Sequence, residues 1–416
     1  VWDNFKSYYY NIYTTPTGIH CAYPLYLDMN ARRYTWYQFT DLSDAGRLLR
    51  CQQIKSGTMG ENAAEFTTST AGRAISYSMF RIIRVANKCI ENIDMVQNAK
   101  QIDKDDLIGQ AYFVRAFAHF TLCRIFGGMP YLDKALDEND EWDMARLTAW
   151  ETYSRCAEDL DRAYDYLLAA GKVRRDAGPG SEGHLTSSDM AYPNGVAAKA
   201  LKARGLLYAA SELNNLHGQS DWEDAAEACA EAIRIAEENG YGMLDFSLWN
   251  SNFYGTKYTN EQLWAYTSGS TTNYNNDRVQ AFVPYCFSNN AFSSGQCPTQ
   301  NFVDKFETAG GYPLNTPEER GAATDAGQYD EQNPYVNGDP RVDVVVIYNQ
   351  KPVQGYGNAS IYVNEDGSLP SGSLIQKRSG SEDGVSETFY YEQKRTGALS
   401  NKGVQNLLLT DPIIRL

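Results

Sequence analysis

Two clusters of rings, amides and charged side chains carry the chemistry this chain offers. The first holds Asn30, Arg33, Tyr34, Trp36, Tyr37 and Asp41. The second lies in Thr271-Thr-Asn-Tyr-Asn-Asn-Asp-Arg-Val-Gln-Ala-Phe-Val-Pro-Tyr285 and contributes Tyr274, Asn276, Arg278 and Tyr285. Aromatic faces stack on the apolar faces of sugar rings, and amides, carboxylates and guanidinium groups bond the hydroxyls. Each stacked ring adds about 1 kcal/mol beyond its buried area. Two or three would support micromolar to millimolar capture, about −4 to −8 kcal/mol. Packing is the competing role for any single ring, because aromatic side chains are mostly buried on average. Arg33 and Arg278 stand out as charged groups among rings and amides. Trp36, Tyr37, Tyr274 and Tyr285 are the stacking candidates, and Arg33, Asn276 and Arg278 the hydroxyl-binding candidates.

The chain carries no H-E-x-x-H, no phosphate-binding loop, no G-x-S-x-G and no G-x-G-x-x-G. Its four histidines, His20, His119, His184 and His217, lack ligand-like spacing, and His119 reads as a core residue. No pair of its 8 cysteines forms a C-x-x-C, so neither a metal nor a cofactor is expected. Cys89, Cys123, Cys156 and Cys229 fall in helical patterns as small core residues. Cys286 and Cys297 flank a loop and are the one pair suited to a disulfide. The segment 362–373 fails as a calcium loop, since Tyr362 and Ser373 occupy the first and twelfth ligand positions.

With 416 residues, of which 43% are hydrophobic, the chain has ample material for a core. Net charge is −15, which speaks against nucleic acid as a partner. The 30 tyrosines and 7 tryptophans supply more amphipathic ring surface than a core needs, as recognition surfaces do. The first residue is Val1, and no signal peptide, lipid-attachment cysteine or membrane-spanning run is legible, so composition alone does not place the protein in a compartment.

The elements that must position these clusters are helices first. Leu107 to Phe126 is apolar nearly all round, and Arg115 and Arg124 argue that its burial is in protein, since a mid-bilayer charge costs about 2.5 kcal/mol or more. Gly127 and Gly128 can take a left-handed cap, and Pro130 forbids continuation. Before it, Ile75, Met79, Ile82, Ala86, Ile90 and Ile93 mark an apolar face within 73–97. Thr148 and Glu151 form a capping box for a helix striped by Trp150, Tyr153, Ala157, Leu160, Tyr164 and Leu167 and closed by Gly171. A small-residue helix, Gly195 to Ala210, is followed by one expected to begin at a second box, Ser220 with Glu223, and to stop at Gly240. Such pairs stack in tetratricopeptide repeats, and also in bundles and in the toroids of some glycoside hydrolases. Beyond Tyr241 the chain turns to Gly, Asn, Ser, Thr and Tyr, with strand-like runs at Leu263–Thr267, Val342–Tyr348 and Thr388–Glu392. The expected division is therefore a helical scaffold over 1–240, carrying an early ligand loop at 28–60, and a loop-rich ligand-binding lobe over 241–416.

Several stretches together resemble a known family. They are Ala86-Asn87 with Ile90-Glu-Asn-Ile93, Arg115-Ala-Phe with the Phe126-Gly-Gly-x-Pro130 exit, Arg146-Leu-Thr with Tyr153 and Asp159-Leu-Asp-Arg-Ala163. Gly195-x-Ala-Ala-Lys-Ala-Leu-Lys-Ala-Arg204 with Leu207-Tyr208, Pro298-Thr-Gln300 with Val303-Asp-x-Phe-Glu307, and Asp339-Pro-Arg341 follow in order. The chain resembles the SusD/RagB outer-membrane nutrient-binding lipoproteins over nearly its whole length. That resemblance implies a mainly α fold of tetratricopeptide-like helix pairs carrying a loop-rich lobe with a few short strands. It implies capture of glycans, less often peptides, for a SusC-like TonB-dependent transporter, with no catalysis. It also implies a surface-exposed lipoprotein of a Gram-negative outer membrane, held by an N-terminal lipid anchor outside this sequence. Asp411 to Leu416 looks like the start of the family's next helical motif, so the parent protein is expected to be longer. Three function classes remain open at this point: a glycan-binding partner of a transporter, a peptide-binding version of it, and an α-toroid glycoside hydrolase, whose paired carboxylates are spatial and invisible in sequence.

Overall fold

The computed structural model describes residues 1–14, 40–44, 56–58, 75–175, 191–253, 258–267, 284, 297–375, 386–394, 399–400, 403–404 and 410–416. Helix α1 (Trp2–Thr14) lies on α2 (Ile75–Asn92), and both bury one apolar face. In α2 that face is Ile75, Met79, Ile82 and Ala86, spaced by three and four residues as one stripe requires. Helix α3 (Gln101–Phe126) is buried from Leu107 to Cys123 at every position but Tyr112. It starts six residues before the apolar run, in a polar turn that periodicity does not flag.

At its far end Gly127 adopts φ 77°, and its amide donates to the Cys123 carbonyl at 2.8 Å. Its ψ of −168° sends the chain onward extended rather than round a left-handed turn. Arg146 donates to the carbonyls of Phe126 and Gly128, meeting acceptors the helix end leaves open. Helix α4 (Ala149–Ala169) begins with the expected capping box: Thr148 Oγ1 accepts from the Glu151 amide at 3.1 Å, and Glu151 Oε2 accepts from the Thr148 amide at 2.7 Å. Helix α5 (Gly195–Ala210) is capped by Asn194, and α6 (Gln219–Glu238) closes the series. From α2 to α6 each helix packs on the next, with Ala197, Ala198, Ala209 and Ala210 buried where α5 meets its neighbours.

The second capping box is not formed. Helix α6 starts at Gln219 behind Gly218, whose φ is 68°, and takes no side-chain cap. Asp221 instead faces back and accepts from the amides of Leu216 and His217, both at 3.0 Å, which fixes the approach to the helix.

The strands are short: β1 (Ser43–Asp44), β2 (Gln262–Thr267), β3 (Cys297–Pro298), β4 (Val346–Ile347), β5 (Pro352–Val353), β6 (Gly357–Asn358), β7 (Tyr391–Glu392), β8 (Leu399–Ser400), β9 (Gly403–Val404) and β10 (Thr410–Arg415). They form antiparallel pairs only: β1 with β3, β2 with β10, β4 with β7, β5 with β6 and β8 with β9. Two strand-like runs are shorter than expected. Within Val342–Tyr348, Asp339 caps a helix α9 (Pro340–Val345) that Pro340 starts, and only Val346–Ile347 is extended; helices α7 (Gln300–Val303) and α8 (Pro317–Asp325) precede it. The run at Thr388–Glu392 reduces to β7.

Asp411 to Leu416 is likewise not the start of a helix. It runs into β10, as the β-branched pair Ile413-Ile414 favours, and Asp411 opposes Tyr266 across the ladder. Trp264 of β2 and Ile414 of β10 join the same core as the helices. The Trp264 ring meets Phe113 and Phe117 edge-on at 5.0 and 5.3 Å. A smaller core of Val303, Val342, Val346 and Tyr390 holds the later segments together. The architecture is mainly α, and among the described residues no helix is long and apolar enough to cross a membrane.

Candidate functional site

The motif residues of the helical region converge on one buried network. Arg115 of α3 makes two parallel hydrogen bonds to Asp159 of α4, and its Nη1 donates to Asn87 Oδ1 of α2 at 2.7 Å and to the Asp133 carbonyl at 2.9 Å. Tyr131 adds a bond to Asp159 at 2.6 Å and stacks on His119 at 4.0 Å. Burial opposes the Arg115 charge, yet the bonds and charge of Asp159 outweigh it and hold the guanidinium above its ordinary range.

His119 Nδ1 faces the Arg115 carbonyl at 2.8 Å, and its Nε2 faces the Leu132 amide at 3.0 Å. A carbonyl only accepts and an amide only donates, so the ring is neutral with its proton on Nδ1. Burial pushes this imidazole down to about 4. The network ties α2, α3, α4 and the segment 131–133 together, and it is architecture rather than a ligand site. His119 is the satisfied core residue the sequence indicated.

Of the candidate ligand residues, Arg33, Tyr34, Trp36, Tyr37, Tyr274, Asn276, Arg278 and Tyr285 lie outside the described residues, as does Cys286 of the suggested disulfide. Asp41 is described and exposed, and its backbone carbonyl accepts from Thr299 Oγ1. The next residues form β1, where Ser43 pairs with Pro298 and Asp44 with Cys297. The Thr299 amide donates to the Leu42 carbonyl at 3.1 Å, and Ser43 Oγ to the Cys297 carbonyl at 3.3 Å. This ladder places the residues that follow the first cluster beside those that follow the second, over 250 positions away. Cys297 is buried there, and burial pushes its thiol up to about 12.

Thr299 then caps α7, which borders a cavity of about 220 Å³. Gln300 of α7 and Asp304 just after it line it, with Tyr329, Glu331, Tyr335 and Tyr390 from the facing segments. The polar groups are chained: Tyr335 and Tyr390 hydroxyls meet at 2.8 Å, Tyr390 donates to Gln300 Oε1 at 2.8 Å, and Gln300 Nε2 to Asp304 Oδ1 at 2.7 Å. Burial raises both phenols, so they stay protonated donors. Rings, an amide and carboxylates around one cavity are the mixture that bonds sugar hydroxyls. Sequence reasoning missed this cavity as a site, although Pro298-Thr-Gln300 and Val303-Asp-x-Phe306 had drawn notice as a motif.

Comparison with known proteins agrees with this architecture. Residues 31–172 match the sequence model of a family described as "Starch-binding associating with outer membrane", and residues 260–413 match that of the "SusD family". The chain belongs to the SusD/RagB family. A SusD-like protein P2 of Formosa agariphila is 30% identical over 128 residues, a stretch covering 30% of this chain and 24% of that protein. This chain thus matches about a quarter of that relative's length. A solved SusD-like protein of Bacteroides fragilis superposes with a TM-score of 0.66 at 20% identity, over 99% of this chain and 72% of the other. A second structure from that organism, described as a SusD-like carbohydrate binding protein, gives 0.61 at 16% identity over 91% and 64%. At these identities the structures establish the fold.

Proposed function

We propose that this SusD-family protein captures glycans at the outer surface of a Gram-negative cell and delivers them to a SusC-like TonB-dependent transporter, held at the membrane by a lipid anchor. The observation that carries the reading is the β1–β3 ladder, which joins the residues just after Asp41 to Cys297 and Pro298 on a SusD scaffold. The description of the matching family and the carbohydrate binding named for one structural neighbour support the ligand class. Residues 1–240 serve as scaffold and 241–416 as the ligand-facing lobe in this reading. Arg33, Tyr34, Trp36, Tyr37, Asp41, Tyr274, Asn276, Arg278 and Tyr285 are the proposed ligand residues, with no step of catalysis.

A glycan-array screen of the purified protein beside its Trp36→Ala/Tyr274→Ala double variant, with product analysis of every hit, tests this. Binding without turnover that the variant loses is the expected result. Absence of any glycan ligand would move the reading to peptides, and released sugar would overturn the non-enzymatic role. Delivery is tested separately, by co-purification with the transporter from outer membranes.

A further inference from the structure

Asparagine followed by glycine is a reactive pair. The glycine amide nitrogen can attack the asparagine side-chain carbonyl, and with no Cβ on the second residue little crowds the five-membered ring that forms. The sequence holds three such pairs, Asn194-Gly195, Asn239-Gly240 and Asn337-Gly338. The fold treats them differently. Asn194 is buried as the cap of α5: its Oδ1 accepts from the Ala197 amide at 3.0 Å, its Nδ2 donates to the Leu263 carbonyl at 2.6 Å, and the Gly195 amide donates to the Lys172 carbonyl at 3.0 Å. Asn239 is half-buried, and its Nδ2 donates to the Ile235 carbonyl at 2.8 Å, which pins the side chain to the end of α6.

Asn337 is exposed and adopts φ 64°, a left-handed conformation that asparagine takes more readily than most residues. Its Nδ2 donates to Gln328 Oε1 at 3.1 Å and to the Gln328 carbonyl at 3.3 Å. The Gly338 amide, the attacking group, reaches the Tyr335 carbonyl at 3.4 Å, longer than the roughly 2.9–3.0 Å usual for such bonds. Both reacting groups are thus loosely held at the surface. The main chain around them is held firmly: the Ala309 amide donates to the Asn337 carbonyl at 2.7 Å, the Asp339 amide to the Glu307 carbonyl at 3.0 Å, and Gly338 pairs with Thr308.

We propose that Asn337 is a site of spontaneous deamidation, with the Gly338 amide nitrogen as the nucleophile. That nitrogen gives its proton to solvent base and bonds to Asn337 Cγ, the Cγ–Nδ2 bond breaks, and ammonia leaves with a proton from water. Water then opens the succinimide at either carbonyl, giving aspartate, or isoaspartate with the main chain lengthened by one methylene. One amide and one water become one carboxylate and one ammonium ion, so the turn gains a negative charge. The lengthened chain no longer matches 307–309 bond for bond. Gly338 and Asp339 line the cavity of about 220 Å³, and Asp339 caps α9, so the change reaches both. This site is independent of the ligand read under Proposed function.

The test is peptide mass mapping of the purified chain during incubation at mildly alkaline pH, folded and in urea, with isoaspartate methyltransferase and labelled S-adenosylmethionine as the probe for the lengthened product. In the folded protein Asn337 is expected to convert at least roughly tenfold faster than Asn194, which reacts only when the core around it opens, with Asn239 between them. In urea the three rates should fall within severalfold of one another, because each asparagine then has the same glycine neighbour and no fold. Gly338→Ala should slow the change at Asn337 severalfold. The added methyl would lie 3.4 Å from the Tyr335 carbonyl oxygen, and Gly338 is not in the left-handed region, so the fold should tolerate it; an unchanged melting curve verifies this. If that variant fails to fold, the comparison of folded parent with urea decides alone. Asn337 that stays intact while Asn239 or Asn194 converts, rates in urea as widely spread as in the folded protein, or a folded Gly338→Ala variant that converts as fast as the parent overturns the site. Converted protein separated by ion exchange is expected to melt below the parent, and equal melting would overturn the reach to the α9 cap.

Discussion

Arg115 of α3 and Asp159 of α4 meet in two parallel hydrogen bonds of 2.7 Å, with 3% and 2% of their side chains exposed. Taking two charges out of water is costly, and the pair persists because further bonds surround it: Tyr131 and Arg162 serve Asp159, while Asn87 and the Asp133 carbonyl serve Arg115. Asp159→Asn keeps the volume but leaves the buried guanidinium uncompensated. Loss of one partner of such a pair costs about 3–5 kcal/mol. The expected outcome is a lower urea midpoint at an unchanged slope. A loss below about 1 kcal/mol would show that the network does not hold the helices together.

His119 makes stability depend on pH in a definite direction. Its folded value of about 4 lies below the unfolded value near 6.5, so between these the unfolded chain binds the extra proton. The contribution is complete above about pH 6.5 and disappears as pH falls toward 4. It amounts to on the order of 3 kcal/mol, at 1.36 kcal/mol per unit. Protonation would also place a second N–H against the Leu132 amide. Urea titrations near neutral pH and near pH 4.5 should therefore diverge for the parent, and diverge less for His119→Gln, which has no imidazole to protonate. Equal divergence in the two proteins would assign the acid sensitivity to carboxylates instead.

What the sequence disclosed divides by the range of the interactions. The Thr148–Glu151 box and the Gly127 exit are local and were legible; the Ser220–Glu223 box had the same signature but lost to Asp221, which turns back to the preceding loop. The valine-rich run after Asp339 reads as a strand until the Asp339 cap and Pro340 impose a helical turn. Arg115 was legible as a sign of burial in protein, but its partner lies 44 residues on and has no local mark. The β1–β3 ladder was beyond reach for the same reason, since two-residue strands have no periodicity and their partners are set only by the finished fold.

Gly128 tests how tightly the end of α3 is held against the start of α4. A methyl group there would sit 2.1 Å from the Leu147 carbonyl oxygen and 2.4 Å from the Thr148 carbonyl carbon, both backbone atoms. Gly109, in the middle of α3, would meet the Leu167 side chain at 2.7 Å, which has more freedom to move. Gly128→Ala is therefore expected to cost about 3 kcal/mol or more, and Gly109→Ala less, within the roughly 1–3 kcal/mol of ordinary overpacking. Thermal melts of the two variants compare them directly, and a Gly109→Ala that melts lower would refute the ordering.

Trp264 separates a ring that builds the fold from rings proposed to bind. It is fully buried, packs edge-on against Phe113 and Phe117, and donates its indole N–H to the Ala191 carbonyl at 3.2 Å. Trp264→Ala removes this contact between β2 and the helical core, at a cost of about 3–5 kcal/mol. Trp36→Ala is expected to show the opposite pattern, an almost unchanged melting temperature with glycan binding lost. Measuring melting and binding on both variants crosses the two roles. A Trp264→Ala protein as stable as the parent would mean that β2 and β10 contribute little to the core, and a Trp36→Ala protein that is destabilised but still binds would reassign Trp36 from ligand contact to packing.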